Sequence, residues 1–352
     1  MLEYIITTGD NHSAMKTISR REFLKLAATG TGGILLQQLL AACGVQPAST
    51  PPAPASTTAE TETSTVVPSQ DPTSTPTQAA PRPDVVIVRR GDPEAMVRRA
   101  LDSFGGMRTF VPAGARVVVK PNICNAYNSY EYASTTNPWV VGALVKLCLE
   151  AGAASVSVFD FPFGGTAEQA YVSSGIREQV EAAGGRMEVM GRLKYAQVTI
   201  PGARVLTETN AYQDALDADV LINVPIAKQH GSTRLTLGMK NLMGLVQNRN
   251  TMHRIGLHQA IADLATLFRP ELTVMDAVRI LTANGPTGGN LADVQQLDTI
   301  VVSPDIVAVD AYTTRLFGLT PADVSYIQAG ADAGLGRLDL ENLRVEEVNL
   351  GS

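Results

Sequence analysis

Residues 223–244, NVPIAKQHGSTRLTLGMKNLMG, concentrate basic side chains among small and apolar residues. The segment contains Lys228, His230, Arg234 and Lys240, and it contains no acidic residue. Its glycines allow backbone amides to approach a ligand closely, and cations beside open amides suit a phosphate or a carboxylate. We therefore predict an anion-binding site, with His230 as the candidate acid or base and the lysines as groups that stabilise negative charge.

The alternative is a solvated basic loop, which is what most runs of charge are. The apolar residues of the second half, among them Leu235, Leu237 and Met239, would instead bury that half and draw Lys240 toward a cleft. A buried lysine without an acid partner or an anion is costly. This composition favours the ligand site, although the loop interpretation stays open.

Polar residues follow several short β-branched runs elsewhere in the chain. Lys120 and Asn122 follow VVV, Asn223 follows VLI, Asp276 follows LTVM, and Asp160 ends VSVF. In open parallel sheets the ligand crevice lies beyond the carboxyl ends of the strands, so these residues would converge on one edge. The alternative is that strands often end in polar turns without any function.

The elements that must position these residues alternate between strand-like and helix-like runs. DVVIVRR precedes PEAMVRRALDSF, ARVVVKPN precedes NPWVVGALVKLCLEAG, and ASVSVFDF precedes TAEQAYVSSG. ADVLINVP, ELTVMDAV and TIVVSP predict three further strands. This alternation indicates an α/β fold with a mainly parallel open sheet and helices on both faces. A small β insertion is expected near residues 184–212.

The α/β domain is predicted over residues 84–352, a length that suits one large domain or two smaller ones. The formal net charge of the chain is −6. Proteins that bind nucleic acid usually have a basic excess, so no nucleic-acid partner is expected.

The N-terminal segment, residues 1–43, resembles an export signal. Arg20 and Arg21 precede an apolar run that is too short and too polar to span a bilayer. Small residues then precede Cys43, as in a lipobox. We expect export by the twin-arginine translocase, lipid attachment at Cys43 and an extracytoplasmic, membrane-anchored location. Translation starts at Met1 or at Met15.

A linker is predicted over residues 44–83, which consist mainly of Pro, Ser, Thr and Ala. Such a segment cannot bury enough apolar surface to offset its ordering entropy. It would hold the domain away from the membrane.

The cysteines and histidines of the domain do not predict a metal centre. Cys124 and Cys148 are too few for a cluster or a usual zinc site, and they form either a disulfide or two unrelated thiols. His253, His258 and Asp263 do not keep to one helical face. The twin-arginine route exports folded proteins, which raises the expectation of a bound cofactor without naming one.

An ordered set of motifs resembles the domain-of-unknown-function family 362. The motifs are VVVKPN, VPIAKQHGSTRLTLGMKNLMG, LTVMDAVRILTANGPTGG, SPDIVAVDAY and AGADAGLGRLDL, and they span almost all of residues 84–352. The positions that the resemblance implies are Lys120, Lys228, His230, Lys240, Asn241, Asp276, Gly285 and Asp310. Members are often fused to four-iron four-sulfur ferredoxin modules, but this chain has no Cys-x-x-Cys-x-x-Cys run, so we do not expect it to hold a cluster.

Combining motif and composition, the candidate catalytic residues are His230, Lys240 and Asp276. The candidate ligand-binding residues are Lys120, Asn122, Lys228, Arg234, Asn241, Gly285 and Asp310. Two of these positions have open interpretations. The NGPTGGN turn around Gly285 either folds over a ligand or is an ordinary loop, and Asp310 either takes part in catalysis or forms an ion pair with a lysine.

Two functions from different classes fit these patterns. One is an enzyme that acts on a phosphate- or carboxylate-bearing substrate. The other is a non-catalytic lipoprotein that captures an anionic solute or docks a redox partner.

The lipid anchor gives the first prediction. Cys43→Ser removes the thiol to which lipid would be attached, so the variant should lose fatty-acid labelling and leave the membrane fraction. Metabolic labelling and fractionation measure both effects, with Cys148→Ser as the matched control. Persistent labelling of the Cys43→Ser protein would contradict the lipobox.

Overall fold

The computed structural model describes Tyr4–Ile6, Lys16–Ile18 and residues 82–351. The twin-arginine pair, the lipobox cysteine and nearly all of the predicted linker lie outside the described residues, so these assignments stay predictions. Tyr4–Ile6 (β1) and Lys16–Ile18 (β2) pair in an antiparallel arrangement.

Within residues 82–351, ten strands form one mixed, mostly parallel sheet, and two more form a separate hairpin. The strands are β3 (Val85–Arg89), β4 (Arg116–Pro121), β5 (Ser155–Val158), β6 (Arg186–Met187), β7 (Tyr195–Thr199), β8 (Glu208–Tyr212), β9 (Val220–Val224), β10 (Ile226–His230), β11 (Arg234–Thr236), β12 (Leu272–Leu281), β13 (Val294–Ser303) and β14 (Val345–Asn349).

Along the sheet the order is β14-β3-β13-β12-β9-β4-β5-β6. Strands β12, β9, β4, β5 and β6 run parallel to one another, whereas β13 is antiparallel to both β12 and β3. Strand β10 pairs with β12 in parallel and with β11 as an antiparallel hairpin. The predicted α/β class with a mainly parallel sheet is confirmed. The expected β insertion consists of edge strand β6 and the separate β7-β8 hairpin.

The helices at PEAMVRRALDSF, NPWVVGALVKLCLEAG and TAEQAYVSSG begin and end close to the predicted bounds. The α-helices of residues 82–351 are α1 (Pro93–Ser103), α2 (Pro138–Glu150), α3 (Ala167–Ser173), α4 (Ile176–Ala182), α5 (Gln213–Leu216), α6 (Gly238–Asn241), α7 (Arg249–Ile255), α8 (Leu257–Phe268), α9 (Ile306–Thr314) and α10 (Ser325–Asp332). Asn137 caps α2, since its side chain accepts a hydrogen bond from the amide of Trp139.

Two apolar cores cover the two faces of the sheet. Buried side chains of α1, α2, α3 and α4 pack in one core, and those of α8, α9 and α10 pack in the other. Helices on both faces leave the strand ends as the accessible edges of the sheet. In the described part of the chain, no helix is both long and apolar enough to cross a membrane.

The basic segment is more regular than a loop. Lys228 and His230 lie on β10, Arg234 lies on β11, and Lys240 and Asn241 lie on the short helix α6. The side chains of Leu235, Leu237 and Met239 are buried, as the sequence predicts. Their burial fixes the path of the chain from the hairpin into α6 and places Lys240 in the interior.

Asp310 holds the first turn of α6 against α9. Its carboxylate accepts hydrogen bonds from the amides of Gly238 at 2.6 Å and Met239 at 3.0 Å. Asp310 is fully buried, and burial raises the pKa of its carboxyl to about 7 against the lowering effect of these two amides. Asp310 therefore accepts hydrogen bonds from two backbone amides at a helix start, where such amides lack intrahelical partners, and within the described part of the chain it does not form the lysine ion pair considered above.

The amide contacts of Asp310 give the second prediction. Asp310→Asn replaces one acceptor oxygen by an NH₂ group and leaves a buried backbone donor without a partner, which costs about 1–3 kcal/mol. Urea unfolding should show this loss in the free energy of unfolding. The exposed Glu341 provides the control, because Glu341→Gln removes a carboxylate from the surface. Equal stabilities of the two variants would contradict the anchoring role.

Candidate functional site

A cavity of about 260 Å³ opens beside the carboxyl ends of β4 and β5. Its polar lining comprises Lys120, Asn122, Asp160, Lys228, His230, Thr236, Lys240, Asn241, Arg249, Asn250 and His253. Its remaining lining comprises Ile123, Cys124, Phe161, Phe163, Met243, Gly244 and Pro286. The lining contains four lysines and arginines and one carboxylate, so it is strongly cationic.

A buried ion pair forms one wall of the cavity. Lys120 Nζ lies 2.8 Å from Asp160 Oδ1, and both side chains are almost completely buried. Asp160 also accepts hydrogen bonds from the amides of Ile123 at 2.6 Å and Phe161 at 2.8 Å. Burial lowers the pKa of Lys120 to about 8, although Asp160 acts to raise it. The pair ties the end of β4 to the end of β5.

Two asparagine amides connect the lysines. Asn241 Oδ1 accepts from Lys120 Nζ at 2.9 Å and from Asn122 Nδ2 at 2.9 Å. Asn241 Nδ2 donates to Asn223 Oδ1 at 2.9 Å and to the carbonyl of Lys120 at 3.2 Å. The free oxygen of the Asn122 amide accepts from Lys228 Nζ at 3.0 Å. These hydrogen bonds fix the positions of the Lys120 and Lys228 amines relative to the strands and to α6.

Lys228 has no described acid beside it. Its amine donates to Asn122 Oδ1 at 3.0 Å and to the carbonyl of Ser134 at 2.6 Å. Both acceptors are neutral, and Lys228 is 2% exposed. Neutral dipoles, and no described carboxylate, therefore surround its amine.

Lys240 has still fewer partners. Within residues 82–351, its amine donates to the thioether of Met243, and Nζ lies 3.5 Å from Sδ. The residue is 8% exposed. Burial, then the charges of Lys228 and Arg249, lower the pKa of Lys240 to about 8. An amine in this setting is available to a ligand in the cavity.

Arg249 and His253 reach the cavity from α7. The Arg249 guanidinium donates to the carbonyl of Phe161 at 3.1 Å and lies 5.0 Å from the centre of the Phe161 ring. Burial and the charge of Lys240 lower the pKa of His253. Helix α7 therefore adds a cation and an imidazole to the groups supplied by the sheet.

His230 is a neutral donor in this arrangement. Burial, with the charges of Lys240 and Lys228, lowers its pKa to about 3. Its Nδ1 accepts a hydrogen bond from the amide of Ser232 at 3.0 Å, so the proton of the neutral ring lies on Nε2. The ring can offer that N–H to a ligand oxygen, while its role as an acid or base stays a prediction.

The structure brings six of the predicted site residues together at this cavity: Lys120, Asn122, Lys228, His230, Lys240 and Asn241. It places the other four outside the cavity lining. Arg234 pairs with Asp323 at 2.7 Å on the surface, and the amide of Gly285 donates to Gln229 Oε1 at 2.7 Å. Only Pro286 of the NGPTGGN turn reaches the lining.

Asp276 and Asp310 satisfy backbone groups instead of lining the cavity. Asp276 accepts from the amides of Asn137 at 2.6 Å and Val278 at 2.9 Å. Burial raises the pKa of its carboxyl to about 6. Its contacts join β12 to the start of α2, which is a positioning role.

Several lining residues were not among the predicted site residues. Asp160 had a usable signal, since it follows a strand in the same way as Lys120. Gly244 is one of the glycines of the basic segment noted above, and a side chain there would meet the Lys120–Asp160 pair, with the added Cβ 2.7 Å from Lys120 Nζ. Arg249 and His253 depend on how α7 folds back, which no local pattern in the sequence specifies.

Cys124 and Cys148 are both buried, free thiols. Cys124 lines the cavity, and its thiol donates to the carbonyl of Pro286 at 3.4 Å. Within residues 82–351 no group of three or more His, Cys, Asp and Glu side chains is arranged to hold a metal ion.

The lowered pKa of Lys240 gives the third prediction. Between pH 8 and 10.5 the unfolded chain binds more protons at this residue than the folded chain, so the contribution of Lys240 to wild-type stability should rise with pH across that interval. Lys240→Met lacks this gain. Its stability relative to wild type should therefore fall by about 2–3 kcal/mol between pH 7 and pH 10.

Urea unfolding at the two pH values, in buffer without multivalent anions, measures the difference. Lys146→Met is the matched control, because Lys146 is exposed. Parallel pH profiles for wild type and Lys240→Met would show that the amine is not held in a site that favours its neutral form.

Comparison with known proteins places the chain among uncharacterised relatives. It is 29% identical over 257 residues to the thylakoid-associated protein sll1697 of Synechocystis sp., a match that covers 68% of this chain and 75% of that protein. The structure of the lactate racemase apoprotein from Thermoanaerobacterium thermosaccharolyticum matches with a TM-score of 0.39 and 12% identity, over 62% of this chain and 54% of that chain. The family model described as "Domain of unknown function (DUF362)" matches residues 117–315, and the chain belongs to that family.

Proposed function

We propose that the domain binds a small ligand bearing a carboxylate or a phosphate in the cavity between β4, β10, α6 and α7. The observation that supports this most directly is the set of cations Lys228, Lys240 and Arg249. All three line one cavity, and none forms an ion pair within the described residues. The single lining carboxylate, Asp160, is already paired with Lys120.

The energetic argument follows from the burial of the Lys228 and Lys240 amines. An isolated buried charge loses several kcal/mol of hydration that neutral dipoles only partly restore. Like charges that line the same cavity also raise one another's energy, and this effect is strong where the local dielectric constant is low. A bound anion would relieve both costs at once, so the cavity favours a ligand with negative charge.

The geometry supplies donors as well as charge. Arg249 offers guanidinium N–H groups, Lys240 offers an amine, and the neutral His230 offers Nε2–H. Donors of this kind form strong charge-assisted hydrogen bonds with oxyanions. Phe161 and Phe163, which are 40% and 57% exposed, lie at the same cavity and provide apolar surface for the rest of a ligand.

We propose further that the domain is tethered outside the cytoplasm. This part rests on the sequence of residues 1–43, in which the pair Arg20 and Arg21 precedes an apolar run and small residues precede Cys43. The twin-arginine translocase would export the chain in folded form, and lipid on Cys43 would hold it at the membrane. The Pro, Ser and Thr linker would then let the cavity reach solutes away from the lipid surface.

The cavity gives the fourth prediction. A panel of phosphate and small carboxylates, compared with chloride at equal ionic strength, should raise the melting temperature of the wild-type protein. Binding to the folded state alone adds about 2.7 kcal/mol at a hundredfold excess over Kd. In a domain of this size that gain corresponds to a shift of a few degrees. Scanning calorimetry measures it.

Matched variants locate the binding. Lys228→Met should erase most of the shift, because methionine is nearly as long as lysine but carries no charge. Lys146→Met should keep the shift. Equal shifts in both variants would mean that the anion binds elsewhere. No shift in any of them, with the protein shown to be folded and free of ligand, would overturn the anion site.

A further inference from the structure

Lys240 differs from the other two cavity lysines in what its nitrogen contacts. Lys120 Nζ has Asp160, Asn241 and a backbone carbonyl as partners, and Lys228 Nζ has Asn122 and Ser134. All of these acceptors are oxygens within 3.0 Å. They use the N–H groups of a charged ammonium and stabilise that form.

The Lys240 amine lacks such oxygens in residues 82–351. Its hydrogen-bond partner among these residues is Met243 Sδ at 3.5 Å, and a thioether is only a weak acceptor. The residue is more than nine-tenths buried, and it lines the cavity. No described oxygen acceptor therefore fixes the orientation of the ammonium, and the nitrogen can turn its lone pair toward a ligand when it is neutral.

The surrounding charges favour that neutral form. Burial contributes most to the lowered pKa of about 8, and Lys228 and Arg249 add to it. At pH 7 the neutral fraction of such an amine exceeds that of an ordinary lysine by roughly two orders of magnitude. The same two cations are those available to a carboxylate, so a ligand bound by them would lie beside the amine.

We propose that Lys240 is a nucleophile that forms an imine with the carbonyl carbon of a 2-oxo carboxylate bound in this cavity. The inference rests on the proposed anion site and specifies its substrate class. Lysines activated by an apolar pocket and by a second cation perform this chemistry in enzymes. Lys120 and Lys228 are less suited to it, because their amines are committed to oxygen acceptors.

The step balances with one proton taken from solvent water. The neutral amine of Lys240 adds to the carbonyl carbon as the carbonyl π bond breaks, and one proton moves from nitrogen to the former carbonyl oxygen. Solvent supplies a second proton, and that oxygen leaves as water. The product is a carbon–nitrogen double bond to Lys240, protonated as an iminium, and no electrons are gained from or lost to another molecule. His230 lines the same cavity, so its Nε2–H is available as a hydrogen-bond donor to the carbonyl oxygen during the addition. The iminium would act as an electron sink for cleavage of a C–H or C–C bond next to it.

Borohydride trapping with pyruvate as the probe tests the proposal on the folded mature protein. Reduction of an imine fixes one pyruvate per chain, and intact mass followed by peptide mapping should locate it on Lys240. The trapping rate should rise with pH up to about 8, where the amine becomes mostly neutral. Labelling at exposed lysines such as Lys146 should be slower by about the two orders of magnitude expected from the neutral fractions.

Two variants at the same position separate chemistry from folding. Lys240→Arg keeps a cation but cannot form an imine, and Lys240→Met removes both properties. Both should lose the trapped adduct while their circular dichroism stays that of the wild type, and Lys146→Met should trap as wild type does. Should either variant unfold, the peptide map of the wild-type adduct still decides which lysine reacts.

The outcomes distinguish this inference from the anion site itself. Stabilisation of the wild type by phosphate or acetate, together with no trapping by pyruvate, would overturn the imine and leave the anion site in place. Trapping spread over surface lysines without enrichment at Lys240 would overturn it as well. Specific trapping at Lys240 that acetate suppresses by competition would support both.

Discussion

The burial of three lysine amines around one cavity is the constraint on which the rest of the site depends. Each amine must recover the hydration that it loses, and each does so differently. Lys120 uses a carboxylate, and Lys228 uses an amide oxygen and a carbonyl. Among the described residues, the partner of Lys240 is a thioether. The partners therefore stabilise the ammonium form to different degrees, most for Lys120 and least for Lys240. The three lysines become chemically distinct groups as a result. It also means that the least satisfied amine is the one most affected by what enters the cavity.

Other residues position the buried lysines by direct hydrogen bonds or through the backbone. Asn241 accepts from both Lys120 and Asn122, and Asp310 fixes the start of the helix on which Asn241 and Lys240 lie. A carboxylate at position 310 therefore acts on the cavity through the backbone of α6, without lining it. Gly244 contributes by having no side chain, since an added carbon would displace the Lys120–Asp160 pair.

Much of this arrangement follows from local patterns in the sequence. The alternation of β-branched runs and amphipathic helices gives the sheet class, and the rule that ligands bind beyond strand ends groups Lys120 with Asn122. Leucines and methionines around Lys240 indicate its burial, because such residues usually lie in the interior and carry the short segment between them with them. In contrast, Asp276 and Asp310 share the features of functional acids, yet both accept hydrogen bonds from backbone amides. Sequence cannot separate these uses, since each requires a buried carboxylate near a chain turn. The contributions of Arg249 and His253 depend on long-range packing of α7, which a local pattern does not encode.

The sequence distances across the cavity have a consequence for how the protein acquires its site. Lys120 and Asn241 are 121 positions apart in the chain, and Lys228 and Asn122 are 106 apart. Contacts of such separation form only after long loops have closed, and topologies rich in them fold slowly. A partly folded chain would thus expose cationic and apolar segments without the partners that compensate them. Under the export proposed above, in which the chain is translocated in folded form, completion of the cavity would precede translocation.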